Sequence, residues 1–219
     1  MKLSDLDSYA EGKILAGCIN QTGYLVINNP ERHNAVSLAM YEAAAEVVEA
    51  MASDDNARLL ILRGAGGKAF ASGADISKFE EERSSEAQVA TYTAASTRFY
   101  NAVFTFPKPT IAQITGYCIG GGMGLAVCCD VRLCEDKSRF AVPAARLGLG
   151  YGFDGVSRLS ALVGPSAVKE IFFTARQFTS QEAYDMGLVN RVLPGHMLEA
   201  YVADYAKRIA ENAPMTMAS

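Results

Sequence analysis

Basic charge, long apolar runs and histidine are all scarce in this chain, and each scarcity removes a class of function. Twenty Lys and Arg stand against 24 Asp and Glu, a formal charge of −4. That leaves no basic footprint for nucleic acid and no polybasic patch for a membrane surface. No apolar run nears the roughly 20 residues that a helix needs to span a bilayer. The opening "MKLSDLDSYAEGK" is too polar for a signal peptide. The expected home is the cytoplasm, with neither nucleic acid nor membrane as partner. The histidines are only His33 and His196. The cysteines (Cys18, Cys118, Cys128, Cys129, Cys134) form no Cys-x-x-Cys pair. Neither a disulfide framework nor a metal site is therefore expected, and buried reduced thiols are.

Nucleotide loops are missing as well. "GAGGKAF" (64–70) has Leu62 where a P-loop needs its first glycine, and Ala69 where it needs Ser or Thr. No G-x-G-x-x-G follows a strand, since Gly120 and Gly122 lead to Leu125.

What is present is a large apolar content. Half of the 219 residues are hydrophobic, enough for one well-filled domain with at most an appendage. "KILAGCIN" and "YLVINN" flank Gln21-Thr22-Gly23 and predict a hairpin. Ser37 is placed to cap a helix running to about Ala52. "RLLILRG" and "TIAQIT" read as strands covered on both faces. A long helix is predicted over 85–104, broken by Pro107 and Pro109. "MGLAVCC" reads as a core helix, "DVRLCE" and "SRFAV" as strands, and the chain from Asp154 onward as helical with one short strand near "LVNRVL". Such alternation predicts an α/β layered domain with a mostly parallel sheet.

Two glycine-bearing segments follow buried strands: "AFASGADI" (69–76) and "GYCIGGGMGLAVCCD" (116–130). Each puts flexible backbone at the carboxyl end of a strand, where α/β sheets bind ligands. The second opens a helix whose first N–H groups lack partners. Side by side, the two can offer a pair of backbone N–H groups to one oxygen, as an oxyanion hole does.

With these blocks in place, the chain resembles the crotonase, or enoyl-CoA hydratase/isomerase, family. "NNPERHNAVS", "AFASGADI", "PTIAQITGYCIGGGMGLAVCCD", "SRFAVPAARLGLG" and "FTSQEAYDMGLVNRVLP" follow in the family's order and spacing. The resemblance implies a ClpP/crotonase-like spiral of ββα units with peripheral helices. It implies a coenzyme A thioester as substrate, no separate cofactor, and trimers often paired into hexamers. It divides the chain into a spiral core, 1–195, and the start of a C-terminal helical region, 196–219, that family members continue further. The hole donors implied are the amides of Ala74 and Gly121. Gly120 and Gly122 leave room for the thioester, and the new helix adds positive potential at the developing oxyanion. Backbone at Ala74, Asp75 and Ile76 would hold the adenine end of coenzyme A. Arg32 is either a phosphate contact or a solvated loop charge.

The same resemblance exposes a gap. Hydratases of this family carry one glutamate two residues after the last glycine of the run and another directly after the proline of the "SRFAVP" block. These positions are Gly124 and Ala144 here. Hydrating an enoyl thioester takes a base for water and an acid for the α-carbon, and neither residue supplies one. Tyr151 falls where a methylmalonyl-CoA decarboxylase of the family has a tyrosine; the alternative is a packed aromatic with its hydroxyl satisfied by backbone. Asp154 lies two residues beyond the catalytic aspartate position of dienoyl-CoA isomerases and 4-chlorobenzoyl-CoA dehalogenase, which is Gly152 here; the alternative is a helix N-cap. Arg146 either pairs with a substrate carboxylate or joins a surface ion pair. Enolate-forming chemistry is thus expected, ordinary hydration is doubtful, and decarboxylation or isomerisation competes with it. A catalytically silent acyl-CoA-binding paralogue is the rival from another class, separable by turnover.

Overall fold

The structure, a computed structural model, describes residues 2–75, 84–213 and 216. A short edge strand, β1 (Asp7–Tyr9), precedes the hairpin of β2 (Ile14–Ile19) and β3 (Thr22–Ile27). Asn20 and Gln21 alone make its turn, at φ +49° and +63°. Two positive φ values give a primed turn whose twist matches the strands. The predicted turn at 21–23 therefore closes one residue earlier, because Thr22 and Gly23 already pair with Ile19 and Cys18. Helix α1 (Leu38–Ala52) follows. Its buried residues Met40, Tyr41, Ala44, Val47, Val48 and Met51 recur at helical spacing and face the sheet.

From here the chain repeats one unit. Strand β4 (Leu59–Gly64) enters the large sheet, β5 (Ala69–Ala71) enters a small second sheet, and helix α2 (Glu86–Phe104) follows. Strands β6 (Thr110–Ile114) and β7 (Tyr117–Ile119) with helix α3 (Gly121–Ala126) repeat it. So do β8 (Val131–Glu135), β9 (Arg139–Ala141) and α4 (Ala144–Leu147). First strands pair in parallel as β3–β4–β6–β8, and second strands as β5–β7–β9. The C-terminal part adds α5 (Phe153–Thr174), β10 (Phe178–Thr179), α6 (Ser180–Asp185), β11 (Arg191–Leu193) and α7 (Gly195–Ala210). Among the described residues the large sheet runs β1-β2-β3-β4-β6-β8-β11 and the small one β10-β9-β7-β5. This is the expected α/β spiral of ββα units with peripheral helices. Four short strands, β1, β5, β7 and β10, were not predicted. Each has two or three residues, too few for a period to show.

The large sheet is covered on both faces, as the apolar run of β4 requires. Leu60 and Leu62 pack into the main core with α1 and α2 residues such as Met40, Val48 and Phe99. Leu59 and Ile61 face the other way, against Leu198, Val202 and Ala206 of α7. Each such buried side chain contributes about 1.5–3 kcal/mol. Helix α2 starts where predicted. Ser85 caps it reciprocally with Gln88, accepting the Gln88 N–H at 3.3 Å and donating its own N–H to Gln88 Oε1 at 3.1 Å. Helix α5 is kinked at Gly164 (φ +77°), just ahead of Pro165.

Candidate active site

Asn34 anchors the first half of the site. It is fully buried, and its amide donates to the carbonyls of Ala65 (2.9 Å) and Ala69 (2.7 Å) while its Oδ1 accepts the Asn29 N–H (2.9 Å). One side chain thus ties the "NPERHNAVS" loop to both ends of the turn before β5. Sequence reasoning missed it, and an asparagine at positive φ (+57°) inside that loop is the signal that could have found it. The loop then pairs with the segment after β5. Val36 N–H donates to Gly73 O (2.8 Å), and Asp75 N–H donates to Val36 O (3.1 Å). In this parallel bridge the groups on either side of Ala74 face Val36, so the Ala74 N–H points the opposite way.

What lies on that opposite side is the glycine run. Helix α3 begins at Gly121, two residues earlier than "MGLAVCC" suggests, which makes Gly121 its first residue. The first N–H groups of a helix have no intrahelical acceptor. Gly73 and Gly121 touch: a Cβ on Gly73 would lie 3.1 Å from Gly121 N, and one on Gly121 would lie 3.2 Å from Gly73 Cα. Among the described residues, neither the Ala74 nor the Gly121 N–H has a hydrogen-bond acceptor. Both residues are partly exposed. With only six residues, α3 adds little macrodipole, so the positive potential expected of it resides mainly in these local N–H groups.

The neighbouring glycines serve different ends. Gly120 sits at φ +56°, ψ −118°, backbone that suits only glycine, with nothing within 4 Å of an added Cβ. Gly122 is buried, and a Cβ there would fall 2.0 Å from the Ala71 carbonyl oxygen. The space it saves is used to seat α3 on β5, where the sequence had suggested room for a ligand.

Tyrosines back this loop. Tyr151 Oη donates to Gly120 O at 3.0 Å. The residue is 36% exposed, and its ring packs edge-on against Phe172, with centroids 5.1 Å apart. Desolvation of the hydroxyl pushes its pKa up to about 12, so it is protonated at neutral pH and no base. Tyr100 Oη donates to Gly121 O at 3.1 Å and lies 3.2 Å from Tyr41 Oη. Burial raises the pKa of both. A side chain at position 124 would point at Tyr151 Oη (3.4 Å) and the Tyr100 ring (3.9 Å). Cys128, behind it, donates to Gly124 O at 3.2 Å and accepts from Arg158 at 3.3 Å. Burial raises the thiol pKa.

The structure thus gathers Ala74, Gly120, Gly121, Gly124 and Tyr151 around one loop. Ala144 is buried in the main core as the first residue of α4. Asp75 is buried beside Ala74, and Ile76 lies outside the described residues. Arg32 is exposed, and its carbonyl accepts from Ser72 Oγ at 3.3 Å, two residues from Ala74. Asp154 is not the helix cap: Gly152 holds that position, and Asp154 is an exposed residue in the first turn of α5. Its side chain makes no hydrogen bond or ion pair among the described residues, and neither does that of exposed Arg146. No group of metal-ligating side chains occurs among the described residues. No helix there is long and apolar enough to cross a membrane.

Contacting glycine loops on an α/β spiral of ββα units define the class of fold, and comparison with known proteins fixes the family. The family model "Enoyl-CoA hydratase/isomerase" matches residues 20–219. A short-chain-enoyl-CoA hydratase of Clostridium acetobutylicum is 32% identical over 217 residues, covering 99% of this chain and 79% of that protein. A carnitinyl-CoA dehydratase of Salmonella arizonae is 33% identical over 186 residues, covering 85% of this chain and 70% of that one. The crystal structure of an enoyl-CoA hydratase/carnithine racemase from Magnetospirillum magneticum superposes with TM-score 0.90 at 36% identity, covering 94% of this chain and 77% of that one. The chain belongs to the enoyl-CoA hydratase/isomerase family, within the crotonase superfamily.

Proposed function

We propose that this protein binds an acyl-CoA thioester and stabilises its enolate between the N–H groups of Ala74 and Gly121. The single observation that carries the reading is that these two amides stand on touching backbones with no acceptor among the described residues. Two such donors, fixed before the substrate arrives, favour an oxygen that gains charge over one that does not. Arg32, exposed and bonded through its carbonyl to Ser72, two residues before Ala74, suits a coenzyme A phosphate. The backbone at Asp75 suits the adenine end. No separate cofactor is called for.

Position 124 decides which enolate chemistry is favoured. The groups facing it are a neutral phenol and an aromatic ring, and position 144 is a buried alanine. Hydration through paired carboxylates has no residues to run on. A malonyl-type thioester needs none: its C–C bond to the carboxylate breaks, carbon dioxide leaves, and the electron pair flows to the thioester oxygen held by the two amides. A water proton then completes the α-carbon. Isomerisation is the second reading and would rest on Asp154, whose exposed place in the first turn of α5 favours it less. We further propose assembly into trimers or hexamers; exposed Phe153, Leu147 and Leu149 supply apolar surface for it, and sedimentation as a monomer at micromolar concentration would contradict it.

Calorimetry tests the core of the reading. Acetoacetyl-CoA, an enolate-like ligand, should bind more tightly than acetyl-CoA. Absence of heat for either at millimolar ligand would remove the site.

A further inference from the structure

Gly120 and Gly121 are joined by a peptide between two glycines, the kind that turns over most easily because neither flanking residue has a Cβ to resist rotation. The Gly121 N–H belongs to that peptide, and its partner carbonyl is Gly120 O. If the plane rotates, the N–H leaves the site and a carbonyl replaces it. Something outside the loop must fix the plane.

The carbonyl end is held twice. Gly124 N–H donates to Gly120 O at 3.0 Å, and Tyr151 Oη donates to it at 3.0 Å. The next peptide is held on its own carbonyl, with Tyr100 Oη donating to Gly121 O at 3.1 Å. Both planes flanking the Gly121 Cα are therefore fixed by phenols. The phenols are fixed in turn. Gly155 leaves room for the Tyr151 ring, since a Cβ there would lie 3.2 Å from Tyr151 Cε1, and Phe172 packs on its other side. Tyr100 is edge-on to Tyr41, with centroids 5.9 Å apart. Tyr92 donates to Val36 O at 3.1 Å, the carbonyl that also binds the Asp75 N–H beside Ala74. Tyr41 lies 3.2 Å, oxygen to oxygen, from Tyr100 and packs edge-on against Tyr92, with centroids 5.4 Å apart. One run of packed tyrosines thus joins the backbone of one hole amide to the backbone of the other.

We infer that Tyr151 and Tyr100 are positioning residues that lock the Gly121 amide in its hole-forming orientation, Tyr151 chief among them. Of the two phenols only Tyr151 bonds Gly120 O, the carbonyl of the peptide that carries the Gly121 N–H, so only it both orients that N–H and, by polarising the peptide, strengthens it as a donor. The inference rests on the enolate-hole reading above.

The test is infrared difference spectroscopy of acetyl-CoA labelled with carbon-13 at the thioester carbonyl. In the wild-type protein the carbonyl band should move to lower frequency on binding. Tyr151→Phe should lose about half of that displacement while affinity changes less than about threefold, since Gly124 still holds Gly120 O and acetyl-CoA carries no full charge for the hole to bind. Tyr100→Phe should lose less. With a substrate that turns over, the same variants should lower kcat and spare KM. A full displacement in folded Tyr151→Phe, or a larger loss in Tyr100→Phe than in Tyr151→Phe, would overturn the clamp while leaving the hole intact. If Tyr151→Phe fails to fold, Gly155→Ala, which pushes on the ring, should reduce the displacement, and an unchanged band there would overturn the clamp. No displacement in the wild type would remove the hole and the clamp together.

Discussion

The two ends of the glycine loop are made of different material. At Gly73–Ala74 and Gly120–Gly121 every group facing the site is backbone, held by Val36, Tyr100 and Tyr151. Four residues on, at Gly124, the chain offers no side chain, and a phenol already donating elsewhere fills the adjacent space. Stabilisation of an oxyanion and transfer of protons, commonly found together, are here separable. The backbone end can be complete while the side-chain end has no acid or base. The lesson is that loop backbone can carry the electrostatic half of the proposed mechanism whatever stands at positions 124 and 144, while the proton-transfer half rests on two side chains.

The comparison is broken most severely by blocking the backbone end. A Cβ at Gly121 would lie 2.8 Å from Tyr100 Oη and 3.2 Å from Gly73 Cα. Gly121→Val should therefore push the two loops apart and cost about 10²–10³ in turnover, the scale of a lost hole donor. Steady-state kinetics with calorimetry checks this, and a variant equal to wild type would take Gly121 out of the hole. Refilling the side-chain end comes next. Gly124→Glu with Ala144→Glu should raise crotonyl-CoA hydration by about tenfold or more, since each general acid or base is typically worth 10²–10⁴. Crowding of Tyr151 by the new carboxylate limits that gain. Unchanged hydration in a folded double variant would mean that the gap is not chemical.

Asn34→Ala should destabilise the fold by roughly 2–4 kcal/mol, because it strands buried groups at Ala65, Ala69 and Asn29. Urea unfolding measures it. A smaller effect is expected at Tyr151. Tyr151→Phe should slow decarboxylation of a malonyl-type thioester by about three- to tenfold, the worth of one positioning hydrogen bond, with coenzyme A affinity held. A competition titration with free coenzyme A beside the rate assay separates the two.

Much of this was legible in the sequence, and the illegible part has physical causes. The buried runs "RLLILRG" and "TIAQIT", the start of a helix at Ser85 and the breaks at Pro107 and Pro109 read directly, because each reports local chemistry. Strands β5 and β7 did not, because three residues between glycines carry no period. The proposed hole residues Ala74 and Gly121 came from the family's blocks, but the separate duties of Gly120 and Gly122 did not. Open space and an Ala71 carbonyl 2.0 Å away look alike in a run of glycines. The N-cap alternative for Asp154 fails because Gly152, with no side chain to cap with, starts the helix instead. The bond from Tyr151 to Gly120 O spans 31 residues, and no local pattern announces it.

The account's central claim is a thioester hole that works without carboxylates. The ratio of malonyl-CoA decarboxylation to crotonyl-CoA hydration, measured on one preparation at equal enzyme concentration, tests it most directly. Hydration should fall about 10²–10⁴ below that of a glutamate-bearing relative, and the ratio should exceed one. Brisk hydration of crotonyl-CoA with no release of carbon dioxide from malonyl-CoA would contradict it, showing that other groups supply the acid and base.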